Sequence, residues 1–227
     1  MHARSALASA LLLALAGCST DTPPQPTAGQ PLGESQSGIA TYYAATGAGS
    51  CSYDASPGSL NVVAMNTAQY AGSAACGTCI QVTGPQGSVL VRVVDQCPDC
   101  DRGHLDLSRE AFAQIAAVEA GRVPIQWQPV ACEGLGKLAF RYKEGSSQWW
   151  AGLQVLNHRL PVRSLEARVD GRWVALARQD YNYFIAEGGL GVGPYTLRVT
   201  ASDGQQRTEE NLPLRESGVV PGSTQFD

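Results

Sequence analysis

Six of the seven cysteines fall between residues 51 and 132, and none follows. That confinement splits the chain into a front part that can be cross-linked and a back part that must hold together by packing alone. The six are Cys51, Cys76, Cys79, Cys97, Cys100 and Cys132. They allow fifteen disulfide pairings. The spacing also fits a zinc site, because Cys76-Gly-Thr-Cys79 and Cys97-Pro-Asp-Cys100 are two CxxC pairs with seventeen residues between them. The compartment decides: an exported chain favours disulfides and a cytosolic one favours zinc.

The amino terminus reads as an export signal. Arg4 gives a positive start and Ala6 to Ala16 is an apolar run too short to span a membrane. Leu15-Ala16-Gly17-Cys18 then has the lipobox pattern of bacterial lipoproteins. Residues 1–17 are therefore expected to be a lipoprotein signal peptide, with Cys18 the acylated anchor; an ordinary secretory peptide is the alternative. Ser19 after the cysteine, rather than an aspartate, suits outer-membrane sorting if the host is Gram-negative. Residues 18–37 carry Pro, Gln, Thr, Gly and Ser with almost nothing to bury, and read as a disordered tether. Without residues 1–17 the chain has 15 basic against 20 acidic side chains, a formal charge of −5. An acidic chain with no basic cluster is a poor nucleic-acid binder, and its salt-sensitive attachment to charged polymers should be weak.

The front part, residues 38–132, has short apolar runs at Leu60 to Met65, Ile80 to Val82 and Val89 to Val94. One helix is expected near 109–120, with Ser108 as N-cap and Gly121 as stop. Residues 133–137 form a short link. From Leu138 onward strand follows strand: Leu138 to Tyr142, Leu153 to Leu156, Val162 to Val169, Trp173 to Ala177, Tyr183 to Ala186, Tyr195 to Thr200 and Arg207 to Leu212. Asp170-Gly171 and Asp203-Gly204 are hairpin signals between them, and strands at this spacing suggest a β-sandwich.

The chemistry concentrates in Val91 to Ala116. Asp95 and Asp106 flank a cysteine-pinned loop, and Asp106 stands two residues before the Ser108 helix start. A carboxylate at a strand-to-helix turn is well placed for chemistry, but cleaving a sugar chain normally takes two. The bland reading is that Asp106 only supports the helix start through the macrodipole. Asp54, Asp99, Asp101 and Glu110 read as solvated surface groups.

Over residues 38–227 the chain resembles bacterial two-domain expansins. The matching motifs in the front part are Gly38-Ile-Ala-Thr-Tyr42, Cys76-Gly-Thr-Cys79, Val82-Thr-Gly-Pro-Gln-Gly87, Val94-Asp-Gln-Cys-Pro-Asp-Cys100 and His104-Leu-Asp-Leu-Ser108. The back part supplies Tyr142-Lys-Glu-Gly-Ser-Ser-Gln-Trp-Trp150, Gln154-Val-Leu-Asn-His158, Asp180-Tyr-Asn182 and Pro221-Gly222. The resemblance implies a mainly β fold: a six-stranded double-psi β-barrel with a short helix over 38–132, similar to family 45 glycoside hydrolases. An immunoglobulin-like β-sandwich that binds wall polysaccharide is implied over 138–227. By analogy with plant relatives, Cys51 would pair with Cys76, Cys79 with Cys132 and Cys97 with Cys100.

In the related hydrolases the aspartate matching Asp106 is the general acid, and the base lies near the first strand. There this chain reads Ile39-Ala-Thr-Tyr-Tyr-Ala-Ala45, without a carboxylate. The resemblance makes Thr41, Asp95 and Asp106 one polar cluster in a polysaccharide groove, with Asp95 the one carboxylate that could partner Asp106. Cys97 replaces an aromatic found in many relatives. In the second domain Trp149, Trp150 and Tyr181 match an aromatic row that grips cellulose, and Lys143 lies near it. Adjacent strand residues point to opposite faces, so both tryptophans reach the surface only if the Gly145 to Ser147 turn distorts the backbone. Trp127 and Trp173 are expected to pack.

The implied activity is non-hydrolytic loosening of a plant-type wall by a protein that binds cellulose or a related wall polymer, peptidoglycan included. It would act as a monomer, exported and lipid-anchored or secreted, without cofactor or metal. The alternatives are a family 45-like endoglucanase, a peptidoglycan lytic transglycosylase, and a polysaccharide-binding lipoprotein with no loosening activity.

Overall fold

A computed structural model describes residues 29–56 and 59–227. The expected signal peptide, Cys18 and the first part of the tether lie outside the described residues. Six strands close into a barrel: β1 (Gln36–Tyr43), β2 (Val62–Asn66), β3 (Cys79–Gly84), β4 (Gly87–Cys97), β5 (His104–Ser108) and β6 (Val123–Val130), in the order β1-β5-β2-β4-β3-β6. The β1–β5 and β2–β4 pairs are parallel, the other four antiparallel. Alternation along each strand turns Val63, Met65, Ile80, Val82, Val91, Val93, Leu105 and Leu107 into the barrel. The intervening residues face out, and the polar groups of interest are among them.

The expected helix over 109–120 is much shorter. One turn, α2 (Arg109–Phe112), is capped by Ser108, whose hydroxyl accepts from the Ala111 N–H at 3.0 Å while donating to the Leu60 carbonyl. A separate 3-10 turn spans Val118–Ala120 and ends at Gly121, φ 63°. The β3–β4 turn is the reason: Gln86 donates its N–H to the Ile115 carbonyl at 2.9 Å, taking an acceptor a longer helix would use for itself. Phe112 and Ile115 are then free to plug the barrel end, both with no exposed surface. An unanticipated short helix, α1 (Thr67–Tyr70), follows β2, capped by the Asn66 side chain.

The second half is an antiparallel sandwich. One sheet has the order β10-β9-β13-β14, from β9 (Val162–Val169), β10 (Arg172–Ala175), β13 (Tyr195–Ala201) and β14 (Gln206–Leu212). The other has the order β11-β12-β8-β7-β15, from β7 (Ala139–Tyr142), β8 (Ala151–Leu156), β11 (Ala177–Arg178), β12 (Phe184–Ala186) and β15 (Gly218–Pro221). The run expected as one strand, Trp173 to Ala177, changes sheets at the buried Leu176. Trp127 is buried and donates to the Gly103 carbonyl at 3.0 Å; Trp173 is half-buried under the Arg198 guanidinium, 4.3 Å from its ring centre.

All six cysteines form disulfides, Cys51–Cys76, Cys79–Cys132 and Cys97–Cys100, which leaves no thiolate for the zinc alternative. The first two close long loops and restrict the unfolded chain most, by about 3–4 kcal/mol each in the loop-entropy account. The stretch read as tether joins the fold before Ser37. Gly29 and Leu32 donate N–H groups to the Ala131 and Pro129 carbonyls, and the Leu32 side chain packs against the sandwich core. One leucine and an open strand edge suffice to order it.

Barrel and sandwich meet across a polar seam. Three successive carbonyls of the sandwich each accept from a barrel hydroxyl: Gln179 from Ser73 at 2.7 Å, Asp180 from Tyr70 at 2.7 Å, and Tyr181 from Ser52 at 2.9 Å. In return the Cys51 carbonyl accepts from Gln154 and Asn182, at 2.8 and 3.2 Å. His158 is buried in the same seam, with Nδ1 2.9 Å from the Leu160 carbonyl. Gly77 faces it, where a Cβ would come within 2.5 Å of both His158 Nε2 and the Tyr53 hydroxyl. Burial, followed by Arg92, pushes the imidazole down to about 3 from its ordinary 6.5.

His158 is thus neutral in the fold, while the unfolded chain takes up a proton below pH 6.5. Its contribution to stability is full above that value and is lost as pH falls toward about 3. Urea denaturation should show a His158-dependent loss of about 2–3 kcal/mol between pH 7 and 4.5. A His158→Gln variant should lack that share of the slope; an unchanged slope would place a protonated imidazole in the seam.

Candidate functional site

The polar residues expected in the groove lie in one row across the outside of the barrel. Register pairs Thr41 of β1 with Asp106 of β5, Asp106 with Ala64 of β2, and Ala64 with Asp95 of β4. Asp106 faces outward because its neighbours Leu105 and Leu107 fill the interior. Asp95 joins the row through a bulge. The β2–β4 register shifts between Val63 and Ala64, so Val93 and Val94 are both buried and Asp95 is turned to the outer face. The Val94 carbonyl accepts from the Cys51 N–H at 3.1 Å, so the loop before the first disulfide secures the bulge.

Within the row, Thr41 Oγ1 donates to Asp106 Oδ1 at 2.5 Å and sits 2.9 Å from His104 Nε2. With the threonine proton committed to the carboxylate, His104 must donate to Thr41 through Nε2–H. The chain His104, Thr41, Asp106 orients the carboxylate and leaves its second oxygen without a partner among the described residues. Asp95 is held differently: Oδ1 accepts from the Ser50 N–H, the Ser50 hydroxyl and the Gln96 N–H at 2.7, 2.8 and 2.8 Å. Two strand spacings separate the Asp95 and Asp106 backbones, about 10 Å. Ala64 holds the register position between them on β2.

Tyr43, two residues beyond Thr41 on the same face of β1, was not anticipated. Its buried hydroxyl has no partner among the described residues, and burial together with the Asp95 and Asp106 carboxylates pushes its pKa well up. It therefore stays protonated, a donor beside two acceptors. The first strand thus offers the Thr41 and Tyr43 hydroxyls to the row. Cys97 ends β4 opposite Asn66 and is bonded to Cys100.

The loop that holds Asp95 also holds the sandwich. Gly49 lies so close that a Cβ would come within 2.4 Å of the Asp95 carboxyl carbon, Ser50 bonds that carboxylate, and Ser52 bonds the Tyr181 carbonyl. Tyr181 is 36 % exposed. Lys143 Nζ stands 5.7 Å from its ring centre and 5.4 Å from that of Tyr183. Trp150, half-buried, lays its ring over Gly152, where a Cβ would meet the indole at 3.1 Å and Lys143 at 3.0 Å. Lys143, Trp150 and Tyr181 therefore gather at one end of the five-stranded sheet.

Trp149 reaches solvent by another device, at 74 % exposure. The backbone reverses at Gln148-Trp149, closed by a bridge between Ser147 and Trp150. Neither tryptophan is in a regular strand, so alternation does not apply; the break falls one step later than the Gly145 to Ser147 turn. Gly189 backs this reversal at φ 69°, where a Cβ would lie 2.0 Å from the Gln148 carbonyl oxygen, and the Gly191 N–H donates to that same oxygen at 3.1 Å. Strand parity could have found His104, two residues before Asp106 in the same motif. Nothing local marks Ser50 or Gly189, whose roles depend on distant contacts.

The chain is similar to known proteins in sequence and fold. The family profile described as lytic transglycolase matches residues 35–127. Expansin-YoaJ of Bacillus subtilis is 38 % identical over 182 residues, 76 % of this chain and 78 % of that protein. The apo crystal structure of the Clavibacter michiganensis expansin superposes with a TM-score of 0.79 at 38 % identity, covering 86 % of this chain and 98 % of that one. An aspartate-to-asparagine mutant of the same protein, solved in complex with cellohexaose, superposes at 0.80 with 37 % identity over the same shares. On the strength of this identity and coverage, the chain belongs to the expansin family.

Proposed function

We propose that this protein binds a β-linked glucan of the cellulose type and loosens wall polysaccharide without cutting it. One observation carries this reading: the loop Gly49 to Ser52 fastens the Asp95 end of the polar row to the Tyr181 end of the aromatic patch. A glycan on the sandwich is thereby presented to the barrel. The glycan-bound structure of a relative, the cellohexaose complex, supports a ligand of this class.

The aromatic rings supply grip, because a pyranose face of C–H groups packs on an aromatic face and removes apolar area from water. The row supplies competition. Asp106 offers a free carboxylate oxygen to glucan hydroxyls that would otherwise bond a neighbouring chain, while the buried Tyr43 hydroxyl stays protonated beneath the row. Inverting hydrolysis needs a second carboxylate across the sugar with a water between. Around Asp106 the first strand presents hydroxyls, and Asp95 is committed to Ser50 and Gln96 through one oxygen. Acylation of Cys18 would keep the protein on its own envelope, or export without acylation would release it.

Trp149→Ala should weaken retention on cellulose at least about tenfold, ~1.4 kcal/mol. Gly189→Ala should weaken it by a similar factor through the displaced turn; unchanged retention in both would remove the patch from the reading. Asp106→Ala should abolish weakening of a cellulose sheet under load while cellulose retention stays within about twofold. Reducing-end assays on cellulose and muropeptide release from sacculi should be blank for the unmodified protein, and product in either assay would make it an enzyme.

A further inference from the structure

The groove does not stop at Thr41. Toward the start of β1 lies a cleft of about 310 Å³ lined by Ile39 together with Ser37, Gly38, Asp101, Arg102, His104 and Arg122. Register explains the grouping. Ile39 pairs with His104 on β5 and with Pro124 on β6, so the residues leading into both flanking strands bracket the same point. Along β1 the cleft lies two residues from Thr41, about 7 Å.

Its floor is rigid. The Asp101 to His104 turn is closed by the His104 N–H on the Asp101 carbonyl at 3.0 Å. Gly103 is held from two sides, its N–H by Gln69 at 2.7 Å and its carbonyl by Trp127 at 3.0 Å. The β1 backbone passes so near that a Cβ on Gly38 would lie 1.9 Å from the Gly103 oxygen. Arg102 is therefore carried on a fixed turn. The Arg102 and Arg122 guanidinium groups make no ion pair or hydrogen bond among the described residues, although Asp101 lines the same cleft and the chain is acidic overall. Burial and then Arg122 hold the His104 pKa down, so the imidazole adds no charge near neutrality. Two guanidinium groups against one carboxylate give a formal charge of +1. That balance suits one monoanionic carboxylate, which arginine can bind in bidentate fashion, better than a phosphate dianion facing Asp101.

We propose that this cleft is a subsite for the carboxylate of an acidic sugar unit, so that a glycan lying along the row is read as neutral at Asp106 and acidic at Arg102 and Arg122. This rests on the glycan-groove reading above. The chemistry is shared by a uronate, with its carboxylate on the ring, and by the lactyl ether of a peptidoglycan strand stripped of its peptides.

Calorimetric titration of the purified chain with three probes tests it: cellohexaose, an oligogalacturonide of equal length, and amidase-stripped peptidoglycan strands. At least one acidic probe should bind in a salt-dependent way and lose about tenfold or more in an Arg102→Gln/Arg122→Gln variant. The acidic probe that binds identifies the source. Cellohexaose should bind the variant and the unmodified chain alike, within about twofold. Asp101→Asn should move the acidic probe the opposite way, to tighter binding, which a misfolded variant would not do. Cellohexaose binding with neither acidic probe bound, or an acidic probe indifferent to all three substitutions, overturns the subsite. Loss of cellohexaose binding by the unmodified chain would instead overturn the groove itself, and the subsite with it.

Discussion

The three barrel hydroxyls that cap the Gln179, Asp180 and Tyr181 carbonyls fix how the sandwich meets the barrel. Each carbonyl is matched to its own donor, two of the three bonds being part-buried. The seam is therefore specific in a way that a purely apolar contact is not. It tolerates little sliding, since the donors and acceptors match in sequence along one stretch of backbone. The Cys51 carbonyl, accepting from Gln154 and Asn182, locks the same seam from the barrel side, and the Cys51–Cys76 disulfide anchors it. The aromatic patch is then held in a defined relation to the polar row.

The second constraint is the bulge at Val94. A regular β4 would send Asp95 into the barrel interior, where an unpaired carboxylate is prohibitive. One extra residue reverses that parity and creates a two-carboxylate outer face. The bulge is secured by Cys51 and the Asp95 carboxylate beyond it by Ser50, members of the loop that also reaches the sandwich. Row, bulge and seam are thus parts of one device with the loop at its centre. The two aspartates differ in how they are held: Asp106 takes one hydroxyl donor on one oxygen, while Asp95 is tied to the scaffold through three donors on one oxygen.

Much of the fold was legible. The strands of the barrel and sandwich fall close to the runs of apolar residues because burial on one face imposes period two. The disulfide pairing was available only through resemblance to relatives. The helix after Ser108 was over-read: apolar spacing at Ala111, Phe112, Ile115 and Ala116 looks helical, but those side chains plug a barrel, and the β3–β4 turn takes the Ile115 carbonyl. Leu176 shows the opposite failure, where a continuous apolar run conceals a change of sheet. In the site, Thr41 and Asp106 came together as anticipated, whereas Tyr43, Ser50 and Gly189 went unnoticed.

By itself the sequence determined the residue inventory and its local grammar: which side chains can carry charge, which aromatics lie beside breakers, where a cap begins a helix, and that β1 holds hydroxyls in place of carboxylates. Those properties depend on composition and on neighbours a few residues away. Tertiary structure alone decided that Asp95 faces outward, that Asp106 is oriented by Thr41 and His104, that Trp149 stands clear of the sheet, and that Arg102 and Arg122 share a cleft. Each of these rests on contacts between residues far apart in the chain, made by register, a one-residue bulge and close backbone approach at glycine. Period and propensity do not encode such contacts; closing the barrel and docking the sandwich do.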